Sequence, residues 1–548
     1  MPIVDPVAEL RAAVEAAAAN LRAGEDGGAR PGLERPPKAE LGDYSTNAAM
    51  LLAPALGGNP LEIAERLAER LGEVLGESLD RVEVAGPGFL NLFLSDSWYR
   101  ESATSLIEAG DEIGRSLNSS YRERVLIEFV SANPTGPLTA AGGRHAAYGD
   151  SLARTLSLSG FSVEREYYLN DIGGQVERFA ESIAARMLGN EVPEGGYQGE
   201  YVREIAENLA AAGVDPEDTD QLARRGSELM RELAEATLHR YGVEFDTWFS
   251  ERELHAKGGP VQGVLADLTR AGHVYESEGA TWLRTTSFGD DKDRVLVRSD
   301  GEPTYYLSDI AYHRDKLERG ADRMINVLGA DHHGYVSRLK AGLEALGFDS
   351  GRLEIAIMQL VNVVESGERA QMSKRKGEFV TLDELIDDIG VDAARFFMLQ
   401  RSHDTPVDLD LDLARRQSNE NPVYYVQYAH ARIASILRKA GEGAVTRALA
   451  VPGRGSGHAL EPAERALTRR LLDLPSEVDE AAVRRAPHRL CAFATATAAD
   501  FHAFYRDCQV VGAEGAGVEE SRLALSTLTK RVITRTLALL GISAPERM

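Results

Sequence analysis

Val125-Leu-Ile-Glu-Phe-Val130 runs into Ser131-Ala-Asn-Pro-Thr-Gly-Pro-Leu-Thr-Ala-Ala-Gly-Gly143, then into a helical pattern from about Arg144 to Leu158 and a strand-like run near Phe161–Leu169. The first six residues form a short, nearly unbroken apolar run, as a strand buried on both faces requires. The Pro- and Gly-rich loop behind it sets the chain up to enter a helix, and Gly160 supplies a natural helix stop. Strand, loop, helix and strand in that order predict a right-handed crossover within a parallel sheet. Strand-like runs at Met324–Leu328 and Ile355–Val364 extend the pattern to a doubly wound, Rossmann-like α/β domain. Its ligand is expected at the carboxyl ends of the strands.

Outward from this core the texture changes twice. Residues 6–23 and 60–76 have apolar residues at helical spacing, and Val82–Val84 and Phe89–Leu94 read as strands around Gly86-Pro87-Gly88. A small N-terminal α/β domain is therefore expected over 1–115, with the polar stretch Gly114–Tyr121 as linker. The catalytic domain is expected over 120–400, interrupted at about 176–290 by an insertion of acidic amphipathic helix. From about Leu382 onward the pattern is helical without strands, including Val423–Leu437 and Ser521–Leu540, and predicts a helical domain over 415–548.

The bulk chemistry narrows the class. The 548 residues carry 61 basic and 86 acidic side chains, a net charge of −25, which argues against a wholly basic nucleic-acid coat. The two cysteines, Cys491 and Cys508, supply neither a disulfide framework nor a four-thiolate zinc site. No apolar run approaches the roughly 20 residues of a membrane span, and the start lacks a signal-peptide pattern. These features predict a soluble cytoplasmic protein with no membrane partner.

Three stretches carry chemistry. Glu128 to Leu138 leaves a buried strand and enters a helix, where free backbone N–H groups suit an anion or a nucleotide. An ordinary strand-to-helix connection fits the same spacing. Gln371-Met-Ser-Lys-Arg-Lys-Gly377 places three cations where they could neutralise a polyphosphate, although a solvated basic face has the same composition. It lacks the P-loop spacing. Tyr305 and Asp309 stand one helical turn apart, an aromatic and a carboxylate suited to a cation. The Asp331-His332-His333 cluster has no second ligand cluster at zinc spacing, so hydrogen bonding at a sheet end is expected there and no structural metal.

Other segments turn these pieces into a pattern: Gly42-Asp-Tyr-Ser-Thr-Asn47, Ala85-Gly-Pro-Gly-Phe89, Glu166-Tyr-Tyr-Leu-Asn-Asp-Ile-Gly-Gly-Gln175, Gly329-Ala-Asp-His-His-Gly334, Asn421 to Arg432, and the ending Leu540 to Met548. With them the chain resembles class I arginyl-tRNA synthetases over essentially its whole length. The resemblance implies arginine–tRNA ligase activity: ATP, with Mg2+, activates L-arginine, and the arginyl group passes to the terminal ribose of its tRNA. It places Ala132, Asn133, Pro134, Thr135, Gly136, Pro137, Leu138, Thr139, Ala140, Ala141 and Gly142 on the ATP, together with Met372, Ser373 and Lys374. Ser373 and Lys374 would be catalytic. Glu128, Asn133, Tyr305, Asp309, Asp331 and His333 would hold arginine, whose planar fork of donors needs acidic acceptors and an aromatic wall. It also implies a monomer.

Two motifs depart from the family. Gln371 replaces the first lysine of Lys-Met-Ser-Lys, and Thr139-Ala140-Ala141-Gly142 replaces His-x-Gly-His. Losing positioned transition-state donors costs about 10²–10³ in rate per group. His145 lies three residues further along and reads as a helix histidine that does not substitute for them. Two expectations follow: a ligase of lowered activity, or an adenylation-deficient paralogue that binds tRNA or arginine. For the tRNA, candidate contacts in the helical domain are Arg432, Arg438, Lys439, Arg469, Arg470, Arg484, Arg485, Lys530, Arg531 and Arg535. Tyr425, Tyr428, Phe501 and Phe504 are candidates for stacking on unpaired bases.

Overall fold

The apolar run at 125–130 forms the middle of a parallel sheet in the computed structural model, which describes residues 5–22, 31–115, 123–369, 380–450 and 457–548. Its strands are β1 (Arg124–Glu128), β2 (Ser162–Leu169), β3 (Thr247–Ser250), β4 (Arg323–Gly329) and β5 (Leu353–Met358). They pair in the order β5-β4-β1-β2-β3, every pairing parallel. The winding reverses between β1 and β4, where Glu128 lies beside Asn326. A crevice opens at such a switch point because the crossovers on either side leave toward opposite faces.

Helix α1 (Ala140–Leu158) makes the first crossover, and the side-chain oxygen of Thr139 caps it by accepting from the Gly142 N–H at 3.3 Å. It begins well before Arg144, so Ala140 to Gly143 form its first turn. Two glycines after two alanines hide that start, and only the seated cap reveals it. Packing on the sheet explains one of the glycines. A Cβ on Gly149 would sit 2.2 Å from the ring of Phe129, so no larger residue fits at that crossing.

Three readings of the sequence are corrected. Strand β3 and an antiparallel sheet of Val274–Ser277, Ala280–Leu283 and Arg294–Val297 lie in or beside the stretch expected to be helical insertion. Strands of four residues carry too little periodicity to stand out. The run Ile355–Val364 divides at Gln359-Leu360 into β5 and β6 (Val361–Glu365), which belong to different sheets. Strand β7 (Val407–Asp410) pairs in parallel with β6, so the chain beyond Leu382 is not purely helical. Its four residues, Val-Asp-Leu-Asp, become a strand only because β6 offers a partner edge.

The first residues build a four-stranded antiparallel sheet with Phe89–Leu94 inside it, backed by helices Pro6–Leu21 and Pro60–Leu75. Long helices at Pro422–Ala440, His488–Asp507 and Val518–Leu540 dominate the C-terminal part. Arg395, fully buried on α3 (Leu382–Leu399, after α2 at Tyr305–Glu318), ties this part to the sheet domain. It bonds the carboxylate of Asp150 on α1, the Tyr241 carbonyl and the Leu540 carbonyl. No helix among the described residues is long and apolar enough to cross a membrane.

Candidate active site

A cavity of about 1380 Å³ occupies the switch-point crevice. Its floor is the loop after β1, its sides are the first turns of α1 and one face of α2, and its back is the carboxyl end of β4 with the 3₁₀ turn Ala330–Tyr335. The loop is strained where it leaves the sheet: Val130 has φ 70° and Ser131 φ 40°. A β-branched residue at positive φ is a genuine outlier, held here because neighbours over-determine it. The Ser131 hydroxyl donates to Glu128 Oε1 at 3.1 Å and accepts the Tyr168 N–H at 3.2 Å. The Tyr167 hydroxyl, 3.1 Å from the Ala132 carbonyl, holds the next residue.

Glu128 and Asp309 both face this space, but in different electrostatic states. Lys316, fully buried on α2, donates to Glu128 Oε2 at 2.6 Å and lies 3.3 Å from the Asn326 side-chain oxygen. Burial alone would raise the Glu128 carboxyl, but Lys316 reverses this and holds it below the ordinary range. Among the described residues Asp309 has no ion-pair partner of its own. Burial, with Glu128 and Glu251 adding repulsion, pushes its carboxyl up to about 7, although the Tyr335 hydroxyl donates to it. Next along the helix, His313 is held neutral by burial and by Lys316, its value pushed down to about 3. Its Nδ1–H donates to the Asp309 carbonyl at 2.7 Å, and its Nε2 accepts from the Asn326 amide at 2.8 Å.

Of the candidate residues, the cavity brings together Glu128, Ala132, Asn133, Thr135, Gly136, Pro137, Leu138, Thr139, Ala141, Gly142, Asp309 and Asp331. Asn133 donates to Gln175 at 2.7 Å, and Tyr201 of the insertion closes over the loop by donating to the Thr135 carbonyl at 2.8 Å. Pro134 is buried in the loop and Ala140 under the helix start, neither in the wall. Tyr305 is 64% exposed and outside the wall. Its hydroxyl reaches the backbone at Gly173, where an added Cβ would lie 3.3 Å from it. Tyr168, Tyr312 and Tyr335 supply the aromatic faces instead, the first two 4.5 Å apart.

Met372, Ser373 and Lys374 lie outside the described residues, as does the side chain of His333. The flank of that basic segment is described. The Val380 carbonyl accepts from Ala140 at the start of α1, and the Leu382 N–H donates to Leu138. The chain leaving the segment is thereby stitched to the mouth of the cavity.

One residue escaped sequence reading. Glu251 directly follows β3, is 2% exposed, and its Oε2 has no hydrogen-bond partner. It sits behind Tyr168 and within electrostatic reach of Asp309. Only its place at the carboxyl end of a strand could have flagged it, and that strand was not legible.

The helical domain sorts its candidates by contact. Phe501 and Phe504 are fully buried core. Arg485 pairs with Glu354 at 2.8 Å, Arg531 donates to the Ile107 carbonyl at 2.9 Å, and Arg535 donates to the Asp111 carbonyl, so these three fasten domains together. Arg432 instead lies 4.6 Å above the ring of Tyr505 and donates to the Tyr428 hydroxyl, and Tyr424 stacks on Tyr428.

A doubly wound sheet with a polar crevice at its switch point, joined to a helical domain, fits a class I aminoacyl-tRNA synthetase, and comparison with known proteins shows that class. Residues 198–418 match the model "tRNA synthetases class I (R), catalytic domain", residues 8–94 match "Arginyl tRNA synthetase N terminal domain", and residues 426–548 match "DALR anticodon binding domain". The chain is 44% identical to the arginine–tRNA ligase of Carboxydothermus hydrogenoformans over 530 residues, covering 94% of each chain. It is also 44% identical to that of Bacillus subtilis over 528 residues, with the same coverage. The solved arginyl-tRNA synthetase of Thermus thermophilus superposes with a TM-score of 0.76 at 26% identity, over 99% of this chain and 100% of that one. The chain belongs to the arginyl-tRNA synthetase family and is an arginine–tRNA ligase. The expectation of a binding-only paralogue finds no support in these comparisons.

Proposed function

We propose that the switch-point cavity holds arginine and ATP side by side and carries out both half-reactions of the ligase. The observation that carries this reading is the charge balance around α2. Glu128 and Glu251 are buried and Asp309 half-buried; Lys316 pairs with Glu128, and His255 lies 3.7 Å from Glu251. Such a pocket favours a cation, and a guanidinium with its fork of donors suits Asp309, while Glu251 behind Tyr168 adds negative charge within electrostatic reach. Glu128, neutralised by Lys316, and Asn133 are left to orient the amino acid's backbone end.

The nucleotide takes the α1 side. The first turn of α1 faces the cavity at Ala141 and Gly142, where phosphates are favoured by the helix dipole. The basic segment with Met372, Ser373 and Lys374 would close on the phosphates, supplying charge as pyrophosphate departs with its Mg2+. The arginine carboxylate oxygen attacks the α-phosphorus, the bond to the β-phosphate breaks, and pyrophosphate leaves with the electron pair. The terminal ribose hydroxyl of the tRNA then attacks the acyl carbon, and AMP leaves. Neither step forms a bond to the protein, so the work is positioning and charge stabilisation.

Pyrophosphate exchange, run with arginine and its cognate tRNA, tests the reading. Arginine-dependent exchange above background is expected. Its absence in a preparation that still binds tRNA would overturn the ligase reading of this cavity.

A further inference from the structure

The family's two signature imidazoles are missing from this chain, yet three other histidines, His145, His313 and His332, line the cavity, and His145 stands on the helix that carries the altered signature. His145 lines the cavity from the second turn of α1, opposite the end of β4. Its ring approaches the backbone of Val327, while its Nδ1 is buried and makes no hydrogen bond. A buried ring nitrogen without a partner costs free energy, which a bound ligand can recover.

Access to the ring depends on what stands in front of it. His145 follows Gly142 by three residues, so both lie on one face of α1, about 4.5 Å apart along its axis. A Cβ on Gly142 would meet only the Thr139 oxygen, at 3.9 Å, so the space before His145 is open. Ala141 beside it is exposed and carries only a methyl group. Small residues at the helix start therefore leave a path from the cavity to the imidazole. The departure from the family pattern and the exposure of His145 to the cavity are two sides of one arrangement.

The chemistry of the partner follows from the ring. Burial, with the Arg144 guanidinium alongside, pushes His145 down to about 4, so near pH 7 the imidazole is neutral. A neutral imidazole carries one N–H and one lone pair. Phosphate oxygens, themselves acceptors, cannot satisfy that lone pair, whereas a donor can. The carboxylates suited to arginine lie across the cavity at Asp309 and Glu128, leaving adenosine as the donor on this side.

We propose that His145 contacts the nucleotide in the adenylation site, its neutral imidazole accepting a hydrogen bond from the adenosine of ATP, through either the 6-amino group or a ribose hydroxyl. The inference rests on the reading of the cavity as an adenylation site and adds a specificity residue to it. His145→Phe keeps the aromatic volume without the acceptor, and His145→Asn restores one. In pyrophosphate exchange the KM for ATP should rise about tenfold in His145→Phe, the worth of one buried hydrogen bond, while the KM for arginine stays within twofold. His145→Asn should recover part of the loss.

Inosine triphosphate, 2′-deoxy-ATP and 3′-deoxy-ATP identify the donor. The difference between wild type and His145→Phe should vanish for the one analogue that lacks the partner group. An unchanged KM for ATP in a folded variant would overturn the proposal, as would an equal loss with all four nucleotides, since a purely structural role has that signature. If His145→Phe fails to fold, the same nucleotide comparison is read from His145→Leu, which also lacks an acceptor. Absence of exchange in the wild type would refute the ligase reading instead. Calorimetric ATP binding to the wild type and the variants then decides the role of His145 separately.

Discussion

Arginine binding should depend on pH through Asp309. In the ligand-free protein its carboxyl is raised from an ordinary value of 3.8 to about 7, by burial first and then by Glu128 and Glu251. The guanidinium stays charged throughout this range, and only ionised Asp309 pairs with it. At pH 8 about nine-tenths of the protein is ionised at this site, at pH 7 about half, and at pH 6 about one-tenth. The apparent Kd for arginine should therefore rise roughly tenfold between pH 8 and pH 6. Binding should also release protons: about 0.9 at pH 6, about 0.5 at pH 7 and about 0.1 at pH 8.

The sign for stability is opposite to that of a paired carboxylate. A carboxyl whose folded value is raised destabilises the fold as pH climbs from 3.8 toward 7, by at most about 4 kcal/mol, and the cost persists above that. Asp309→Asn should accordingly bind arginine weakly and without pH dependence, yet melt at a higher temperature than wild type at pH 8. Isothermal titration of arginine in buffers of different ionisation enthalpy reads affinity and proton release together. A Kd flat from pH 6 to pH 8 with no proton release would remove Asp309 from the guanidinium pocket.

Three further outcomes follow from the same contacts. Glu251→Gln removes a negative charge near the pocket and should weaken arginine binding severalfold while lowering the pH midpoint by relieving Asp309; ATP affinity, measured in parallel, should not move. Lys316→Met leaves Glu128 buried without its partner and should cost about 3–5 kcal/mol in urea unfolding, most of it recovered in the double variant with Glu128→Gln. Tyr505→Ala removes the ring under Arg432 and should weaken tRNA binding by about 1–3 kcal/mol in filter-binding assays without changing the KM for arginine.

Much of this molecule could be read from residues in order. The apolar run at 125–130 and its loop are self-sufficient, because a strand buried on both faces needs no outside partner to announce itself. The family motifs were legible for a related reason: each is a contiguous stretch. Misreadings fell where identity depends on a neighbour. Strand β3 is four residues whose strand character comes from pairing with β2, and Glu251 is invisible as a site residue until β3 places it. Tyr305 meets the spacing rule for sharing a face with Asp309, but spacing does not say which neighbour a side chain reaches, and here its hydroxyl lies beside Gly173. Thr139 and Gly142 read as losses, although in the fold one caps α1 and the other leaves the way to His145 open.

The sequence by itself determined the doubly wound sheet, the appended helical domain, the family, and the site at the carboxyl ends of β1 and β4. Only the tertiary structure decided which carboxylate is neutralised and which stays raised, because that turns on Lys316 reaching Glu128 across 188 positions while Asp309 gains no ion-pair partner among the described residues. Likewise, only packing set a spare-looking histidine against the cavity wall. Local pattern fixes what an element is, but the charge state and reach of a buried side chain depend on groups brought to it from distant parts of the chain.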